Sequence, residues 1–216
     1  MNIIISEEIS SNGCTATVKA FLKSLQLKGE YLYFHSIFVG LIAEKIGENL
    51  GLSKEDVHCL KISGFLHDIG KIAIRDSILR KPGELSSSEW EQIRLHPVLG
   101  YMALEDIPEL QKYSEIILYH HENGNGSGYP YGLKYESIPF ESLIIKVSDM
   151  YAAMVSERSY KPSFPKEQAI GICLKEVDFL DKQYRECIRY TLNCLTIERQ
   201  KQKILAKNEL HNYNYK

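Results

Sequence analysis

The chain has 216 residues, of which 44% are hydrophobic and 25% charged, and this balance suits a globular protein with a buried core. Its formal net charge of -2 excludes the strongly basic surface that binds long nucleic acids, although a small anionic ligand needs only a few local cations. No stretch is apolar over the roughly 18 residues that a membrane span requires. The five cysteines include no Cys-x-x-Cys pair, so we interpret them as reduced thiols of a cytoplasmic protein.

Helical periodicity begins at Thr15 and continues as far as Phe65. Apolar residues recur at four-residue intervals from Phe34 to Leu50, and Gly51 is placed to end that helix at its C′ position. Ser53 with an acidic residue three positions later is a capping-box pattern, which predicts a further helix running towards His67.

The segment from Asp68 to Leu85 contains Gly70, Pro82 and Gly83, and we predict that it is a loop. A second capping-box pattern at Ser86 opens a short helix that ends around His96-Pro97.

Three further helical regions follow, at about 108–121, 140–156 and 166–206, the last of which looks like two helices. Between the first two lies a segment rich in glycine and proline, 122–139. Long ordered loops of this kind in compact domains are often functional.

We therefore predict an all-α protein with no clear strand, repeat or dividing linker. The predicted parts are an N-terminal extension (1-14), one helical domain (15-200) and a frayed C-terminal tail (201-216).

The histidines and aspartates occur on different predicted helices or at their ends. Helix ends that converge on one side of a bundle can supply several ligands to one buried metal site. Imidazoles with a few carboxylates suit iron, manganese, zinc or nickel better than calcium or magnesium. The set is too large for one open catalytic ion and suits two ions bridged by a carboxylate, such as Asp68, and by a hydroxide. The candidate ligands are His35, His67, Asp68, His96, His120, His121 and Asp149.

An isolated histidine is more often a packing or surface residue than a ligand, and we assign His58 and His211 to that class. His96 alone, or either of the doublets His67-Asp68 and His120-His121, is weak evidence for a metal. Their joint occurrence in one ordered pattern favours a metal site.

That pattern resembles a known family. The run His67-Asp68-Ile69-Gly70-Lys71 is similar to the defining motif of the HD superfamily of metal-dependent phosphohydrolases. The later His120-His121-Glu122 and Gly128-Tyr129-Pro130 resemble its HD-GYP subfamily, and the match runs from about Thr15 to Phe179. The resemblance implies a single all-α bundle with a metal centre among its helix ends.

The resemblance also implies roles for individual residues. All seven candidate ligands match the family's metal ligands, with Asp68 as the bridge between two divalent ions, iron or manganese. Lys71 would lie beside the metals and act electrostatically or as a proton donor. Arg158 and Lys161 would hold substrate phosphates, although they could also be a solvated cationic pair at a helix end. Tyr129 would shape the substrate side of the pocket.

Two positions depart from the family pattern. Some members carry a glutamate one turn before the first histidine and use it to bind a third metal, whereas this chain has Tyr31 there. We therefore expect two metals. Asn125 stands where the motif normally has aspartate, which keeps an acceptor oxygen but loses a charge and could alter activity or loop order.

The implied activity is a cyclic di-GMP phosphodiesterase that yields pGpG or GMP by attack of a metal-bridging hydroxide. Related members act on 3′3′-cGAMP. An alternative is a weakly active or inactive module that binds a cyclic dinucleotide and signals to a partner protein, and a third is an HD hydrolase acting on other nucleotides. The expected partners are a cyclic dinucleotide, and a second copy of the chain or a signalling protein, but neither long nucleic acid nor membrane.

Overall fold

The computed structural model describes residues 16–156 and 163–195, which form a bundle of α-helices. Within these ranges there is no β-strand, and one isolated bridge pairs Asn125 with Lys134. The predicted all-α fold is therefore confirmed. The helices are α1 (Ala16–Lys28), α2 (Glu30–Asn49), α3 (Lys54–Leu66), α4 (Asp76–Leu79), α5 (Ser87–Arg94), α6 (His96–Leu104), α7 (Gln111–Leu118), α8 (Phe140–Val155), α9 (Lys166–Lys175) and α10 (Lys182–Cys194).

The predicted helix ends in the first half of the chain have the expected geometry. Gly51 follows α2 with a φ of +72°, a conformation that favours glycine. The Ser53 hydroxyl accepts a hydrogen bond from the Asp56 N–H at 3.1 Å and caps α3. A complete capping box joins Ser86 and Glu89 at the start of α5, and the Glu89 carboxylate accepts from the Ser86 N–H at 2.7 Å.

The structure corrects the prediction between residues 68 and 110. The segment expected to be a loop contains a 3₁₀ helix at Ile69–Ala73 and the short α4. The helix α6 was not predicted at all: it begins at His96, only one residue after α5 ends. Pro97 lies in its first turn, where a proline costs nothing because the N–H it lacks would have no helical partner.

The hydrophobic core has two parts, and α2 contributes to both. One part lies between α2, α8, α9 and α10, and includes Ile46, Tyr151 and Leu192. The other lies between α1, α2, α3 and α7, and includes Leu22 and Ile117. The central helix α2 is thus buried on opposite sides and holds its own His35 in a fixed position.

Glycines allow α2 and α3 to cross in close contact. A Cβ atom on Gly64 would lie 2.5 Å from the Cα of Gly40, and one on Gly40 would lie 2.7 Å from the Lys61 carbonyl oxygen. This close crossing brings His35 of α2 next to His67 at the end of α3, with 5.3 Å between their ring centroids.

No helix in the described ranges has both the length and the apolar character that crossing a bilayer demands. The predicted N-terminal extension and C-terminal tail lie outside the described residues, so the three-part division of the chain remains a prediction.

Candidate metal centre

All seven predicted ligands converge on one place. His35 comes from α2, His67 and Asp68 from the end of α3, His96 from the first residue of α6, and Asp149 from α8. His120 and His121 follow α7 directly. His67, Asp68, His96 and His120 are buried, and the other three are partly exposed. The helix ends therefore meet in the interior, as the sequence predicted.

The side chains form three overlapping groups, and within each group the possible ligand atoms lie within 4.8 Å of one another. Two of the groups share no residue: His96, His120 and His121 form one, and His35, His67 and Asp149 form the other. Asp68 joins these two groups, because it forms the third group with His67 and His120. Its Oδ1 is 3.5 Å from Nε2 of His96, and its Oδ2 is 3.4 Å from Nε2 of His67.

Three of the imidazoles are oriented by the main chain. Nδ1 of His67 donates to the carbonyl of Gly64 at 2.8 Å, and Nδ1 of His96 donates to the carbonyl of Ile93 at 2.8 Å. Nδ1 of His120 donates in the same way to the carbonyl three residues earlier. A neutral imidazole that donates from Nδ1 has a free lone pair on Nε2, so all three rings present a ligand atom to the centre.

Two buried polar atoms at the centre lack a hydrogen-bond partner: Nε2 of His67 and Oδ1 of Asp68. Oδ1 of Asp68 still has the Lys71 ammonium 2.7 Å away, whereas leaving Nε2 of His67 unpaired costs about 1–3 kcal/mol. Both atoms are good ligands for a divalent transition metal. The donor set and its unpaired atoms therefore fit a metal.

Lys71 lies beside this carboxylate. Its ammonium nitrogen is 2.7 Å from both oxygens of Asp68, and the angles satisfy a hydrogen bond to Oδ2. Burial would lower the pKa of Lys71, but the charge of Asp68 outweighs it and raises that pKa. Lys71 therefore stays protonated beside the candidate ligands.

Burial keeps His67, His96, His120 and His121 neutral. It lowers the pKa of His67, and it lowers the pKa of His96 to about 4. The pKa values of His120 and His121 are held well below the usual value. At His96, the positive charge of Lys71 lowers the pKa further. Neutral imidazole is the form that binds metal.

Burial acts on the pKa of the two aspartates in the opposite direction. Burial would raise their pKa, but two neighbours outweigh it: the positive charge of Lys71 at Asp68, and the hydrogen bond from His35 at Asp149. The pKa of both carboxyls is therefore held well below the usual value. Nε2 of His35 donates to Asp149 at 2.8 Å, which fixes both side chains.

The Gly-Tyr-Pro loop packs directly on the centre. The ring of Tyr129 stacks on His121, with 4.7 Å between centroids and 24° between planes. The Tyr129 N–H donates to the carbonyl of His121 at 3.2 Å. Tyr129 therefore contacts a candidate ligand, and its role on the substrate side of a pocket remains a prediction.

Glu122 holds residues 131–133, the returning arm of this loop, a role that was not predicted from the sequence. Its buried carboxylate accepts hydrogen bonds from the N–H groups of Tyr131, Gly132 and Leu133 at 2.7, 3.1 and 2.9 Å. The only available signal was its place directly after His120-His121.

The loop also accommodates Asn125. The Oδ1 atom of Asn125 accepts from the N–H and hydroxyl of Ser127 at 3.0 and 2.7 Å. Asn123 donates to the same hydroxyl at 2.9 Å and accepts from the buried Lys146. The turn thus uses only the acceptor oxygen, which asparagine and aspartate share.

Not every predicted residue can be placed. Arg158 and Lys161 lie outside the described residues, so their roles as phosphate ligands remain predictions. Tyr31 is exposed at the start of α2. His58, assigned to packing or surface, is partly exposed on α3 and belongs to neither group.

Known proteins resemble this chain in sequence and fold. The model of the HD domain family matches residues 10–183. A cyclic di-GMP phosphodiesterase of Thermotoga maritima is 42% identical over 154 residues, which cover 68% of this chain and 42% of that protein. The 3'3'-cGAMP-specific phosphodiesterase 3 of Vibrio cholerae is 30% identical over 182 residues, covering 84% of this chain and 40% of that protein.

A solved structure shares the fold. The HD domain of the L. monocytogenes phosphodiesterase PgpH, in complex with cyclic-di-AMP, matches with a TM-score of 0.59 and 21% identity. The match covers 80% of this chain and 93% of that chain.

The helical bundle, the ligand cluster and the family match together define this chain as a member of the HD domain family. Its His120-His121-Glu122 and Gly128-Tyr129-Pro130 motifs and its relatives place it among the HD-GYP proteins of that family. The chain spans less than half the length of the two curated relatives described above.

Proposed function

We propose that this chain is a metal-dependent phosphodiesterase that hydrolyses a cyclic dinucleotide. The first candidate substrate is cyclic di-GMP, with pGpG or GMP as the product. The observation that carries the proposal is the cluster of histidines and aspartates, in which the buried Nε2 of His67 and Oδ1 of Asp68 form no hydrogen bond. The relatives' names support the substrate class, since they include cyclic di-GMP and 3'3'-cGAMP phosphodiesterases. Free cysteines at Cys59 and Cys173 accord with a cytoplasmic location.

We further propose two divalent ions per chain, iron or manganese. The two groups of candidate ligands that share no residue support this number. One ion would be held by His96, His120 and His121, the other by His35, His67 and Asp149, with Asp68 shared between them. Such a pair of ions, when bound, lowers the pKa of coordinated water and polarises a phosphodiester.

The chain's own residues supply the remaining chemistry. Lys71 holds a proton on Nζ, 2.7 Å from Asp68, and in this proposal gives that proton to the oxygen that leaves the phosphate. Its charge also offsets charge that develops on the phosphate oxygens. Tyr129 stacks on His121, so the loop held by Glu122 lies against one side of the centre.

Metal content and turnover, measured on the same sample, test this function. The protein is purified anaerobically, its metals are determined by elemental analysis, and hydrolysis of cyclic di-GMP and 3′3′-cGAMP is followed. The variants His67→Ala and Asp68→Ala are compared with His58→Ala, a histidine outside the centre. We expect about two metals per chain and turnover that disappears only in the first two variants.

The same experiment separates the alternatives. Two metals with binding but no turnover would favour a signalling module that binds cyclic dinucleotides. Turnover of other nucleotides alone would favour a different HD hydrolase. Protein without metal under these conditions would refute the proposed function.

A further inference from the structure

The ring of Tyr129 links the metal centre to a cation at the surface. One contact is the stack on His121, with centroids 4.7 Å apart. The other is Arg94, whose guanidinium carbon lies over the same ring at 5.6 Å from its centroid. Arg94 is exposed in the last turn of α5, while Tyr129 is partly buried. A positive charge is thus held at the rim of the centre by an aromatic face.

The charge of Arg94 is not neutralised within the described part of the chain. There, Arg94 forms neither an ion pair nor a hydrogen bond with another side chain, whereas Lys71 is paired with Asp68. A guanidinium has five N–H groups, and one aromatic contact does not occupy them all. The remaining N–H groups can bind a phosphate, which arginine holds with two parallel hydrogen bonds.

We propose that Arg94 binds the phosphate of the cyclic dinucleotide that is not being hydrolysed. This inference rests on the proposed function. A cyclic dinucleotide carries two phosphodiester groups, and only one of them can lie at the reacting centre. The second remains an anion in the same small molecule, and Arg94 is a cation at the edge of that centre. A substrate with one phosphodiester has no such second group.

This difference between substrates supplies the test. We compare Arg94→Ala and Arg94→Lys with the parent protein on cyclic di-GMP and on bis(p-nitrophenyl) phosphate, which has a single phosphodiester. The matched control is Lys112→Ala, because Lys112 lies over the Tyr113 ring at 5.2 Å, in a cation–aromatic pair outside the ligand cluster.

We expect Arg94→Ala to raise KM for cyclic di-GMP about tenfold, with kcat within about twofold of the parent value. The KM of Arg94→Lys should lie between the KM values of the parent and of Arg94→Ala, since lysine keeps the charge but lacks the planar guanidinium. Hydrolysis of bis(p-nitrophenyl) phosphate should be unchanged in both variants, and Lys112→Ala should match the parent on both substrates. If the parent binds cyclic di-GMP without turnover, the same tenfold change is expected in Kd.

The other outcomes overturn the proposal. An equal loss on both substrates would show that Arg94 acts through Tyr129 or the fold, and unchanged KM or Kd would show that it contacts no phosphate. A parent protein that hydrolyses bis(p-nitrophenyl) phosphate but neither binds nor hydrolyses cyclic di-GMP would refute the proposed function, and the role of Arg94 with it.

Discussion

The ammonium nitrogen of Lys71 lies 2.7 Å from the carboxylate of Asp68, three residues earlier in the chain. We expect Lys71→Met to lower kcat about 100-fold, because the variant loses a positioned proton donor. The metal content should stay at the parent value, since Lys71 is a neighbour of the candidate ligands and not one of them. Kinetics and elemental analysis of the same sample measure both.

The control for this variant is Lys45→Met. Lys45 forms an ion pair with Glu48 at 2.8 Å, also at a separation of three residues, but on the exposed surface of α2. Its removal should leave kcat unchanged. A Lys71→Met protein with kcat within about threefold of the parent would contradict a role for Lys71 in proton transfer.

The metal-free protein should lose stability as the pH falls from about 6.5 to about 4. Burial lowers the pKa of His96 from 6.5 to about 4, so the unfolded chain takes up a proton in this range before the folded chain does. The free energy of unfolding should therefore fall, by about 3 kcal/mol from His96 alone. Urea denaturation of chelator-treated protein across this range measures the change.

His96→Gln is the matched variant, because it removes the titrating group while keeping a polar side chain of similar reach. Its free energy of unfolding should depend less on pH over the same range. Parent protein whose stability is constant between pH 6.5 and 4.5 would contradict a buried, neutral imidazole at this position.

Glu122→Gln should loosen the Gly-Tyr-Pro loop. The carboxylate accepts three main-chain hydrogen bonds, and an amide has only one oxygen with which to replace its two. We expect a loss of about 2 kcal/mol in the free energy of unfolding and faster amide hydrogen exchange at residues 129–133. The control is Glu136→Gln, an exposed residue near the same loop, which should change neither.

The exchange pattern decides whether Glu122 acts locally. Faster exchange limited to the loop would agree with its role as the anchor of the returning arm. Uniformly faster exchange throughout the bundle would instead show that the substitution destabilises the whole fold.

The helices were predictable where local chemistry determines them. The caps at Ser53 and Ser86 and the stop at Gly51 depend on residues within one or two turns, and the structure has all three. The helix α6 was not predicted because the sequence His96-Pro97 is equally compatible with the end of one helix and with the first turn of the next. Packing of α6 against the 3₁₀ helix at Ile69–Ala73 resolves that ambiguity, and no local pattern encodes it.

The candidate site was predictable in its membership but not in its geometry. The family resemblance supplied the ligands, and the bundle brings them together. The contact of Arg94 with Tyr129 joins residues of different segments and has no local sequence pattern. Three main-chain carbonyls orient His67, His96 and His120. Their role could not be predicted from the sequence either, because every residue carries a carbonyl.

Asn125→Asp should leave kcat/KM for cyclic di-GMP within about twofold of the parent value. The turn uses only the Oδ1 acceptor, which both side chains provide to Ser127. Asn125→Ala removes both hydrogen bonds and should lower the free energy of unfolding by about 1 kcal/mol. A more than tenfold gain of activity in Asn125→Asp would show that asparagine weakens this enzyme, which would favour the weakly active module.

Gly70→Ala should damage the metal centre without changing any ligand. A Cβ atom on Gly70 would lie 2.0 Å from the carbonyl oxygen of His96 and 2.6 Å from the amide nitrogen of Gly100. Both contacts are with main-chain atoms, so α6 must move away from the 3₁₀ helix and carry His96 away from Asp68. We expect about 2–3 kcal/mol of lost stability and a reduced metal content.

Two other glycines provide a graded comparison for that variant. Gly100→Ala would place its Cβ 3.2 Å from a methyl carbon of Ile117, a side chain that can adjust, so its effect should be smaller. Gly171 has no atom within 4 Å of the new Cβ and lies in the exposed part of α9. Gly171→Ala should raise stability by about 0.5–1 kcal/mol and leave the metal content unchanged.

Thermal unfolding and elemental analysis of the three variants should therefore rank them in the order of main-chain crowding. A Gly70→Ala protein as stable and as rich in metal as Gly171→Ala would show that α6 does not hold His96 against Asp68.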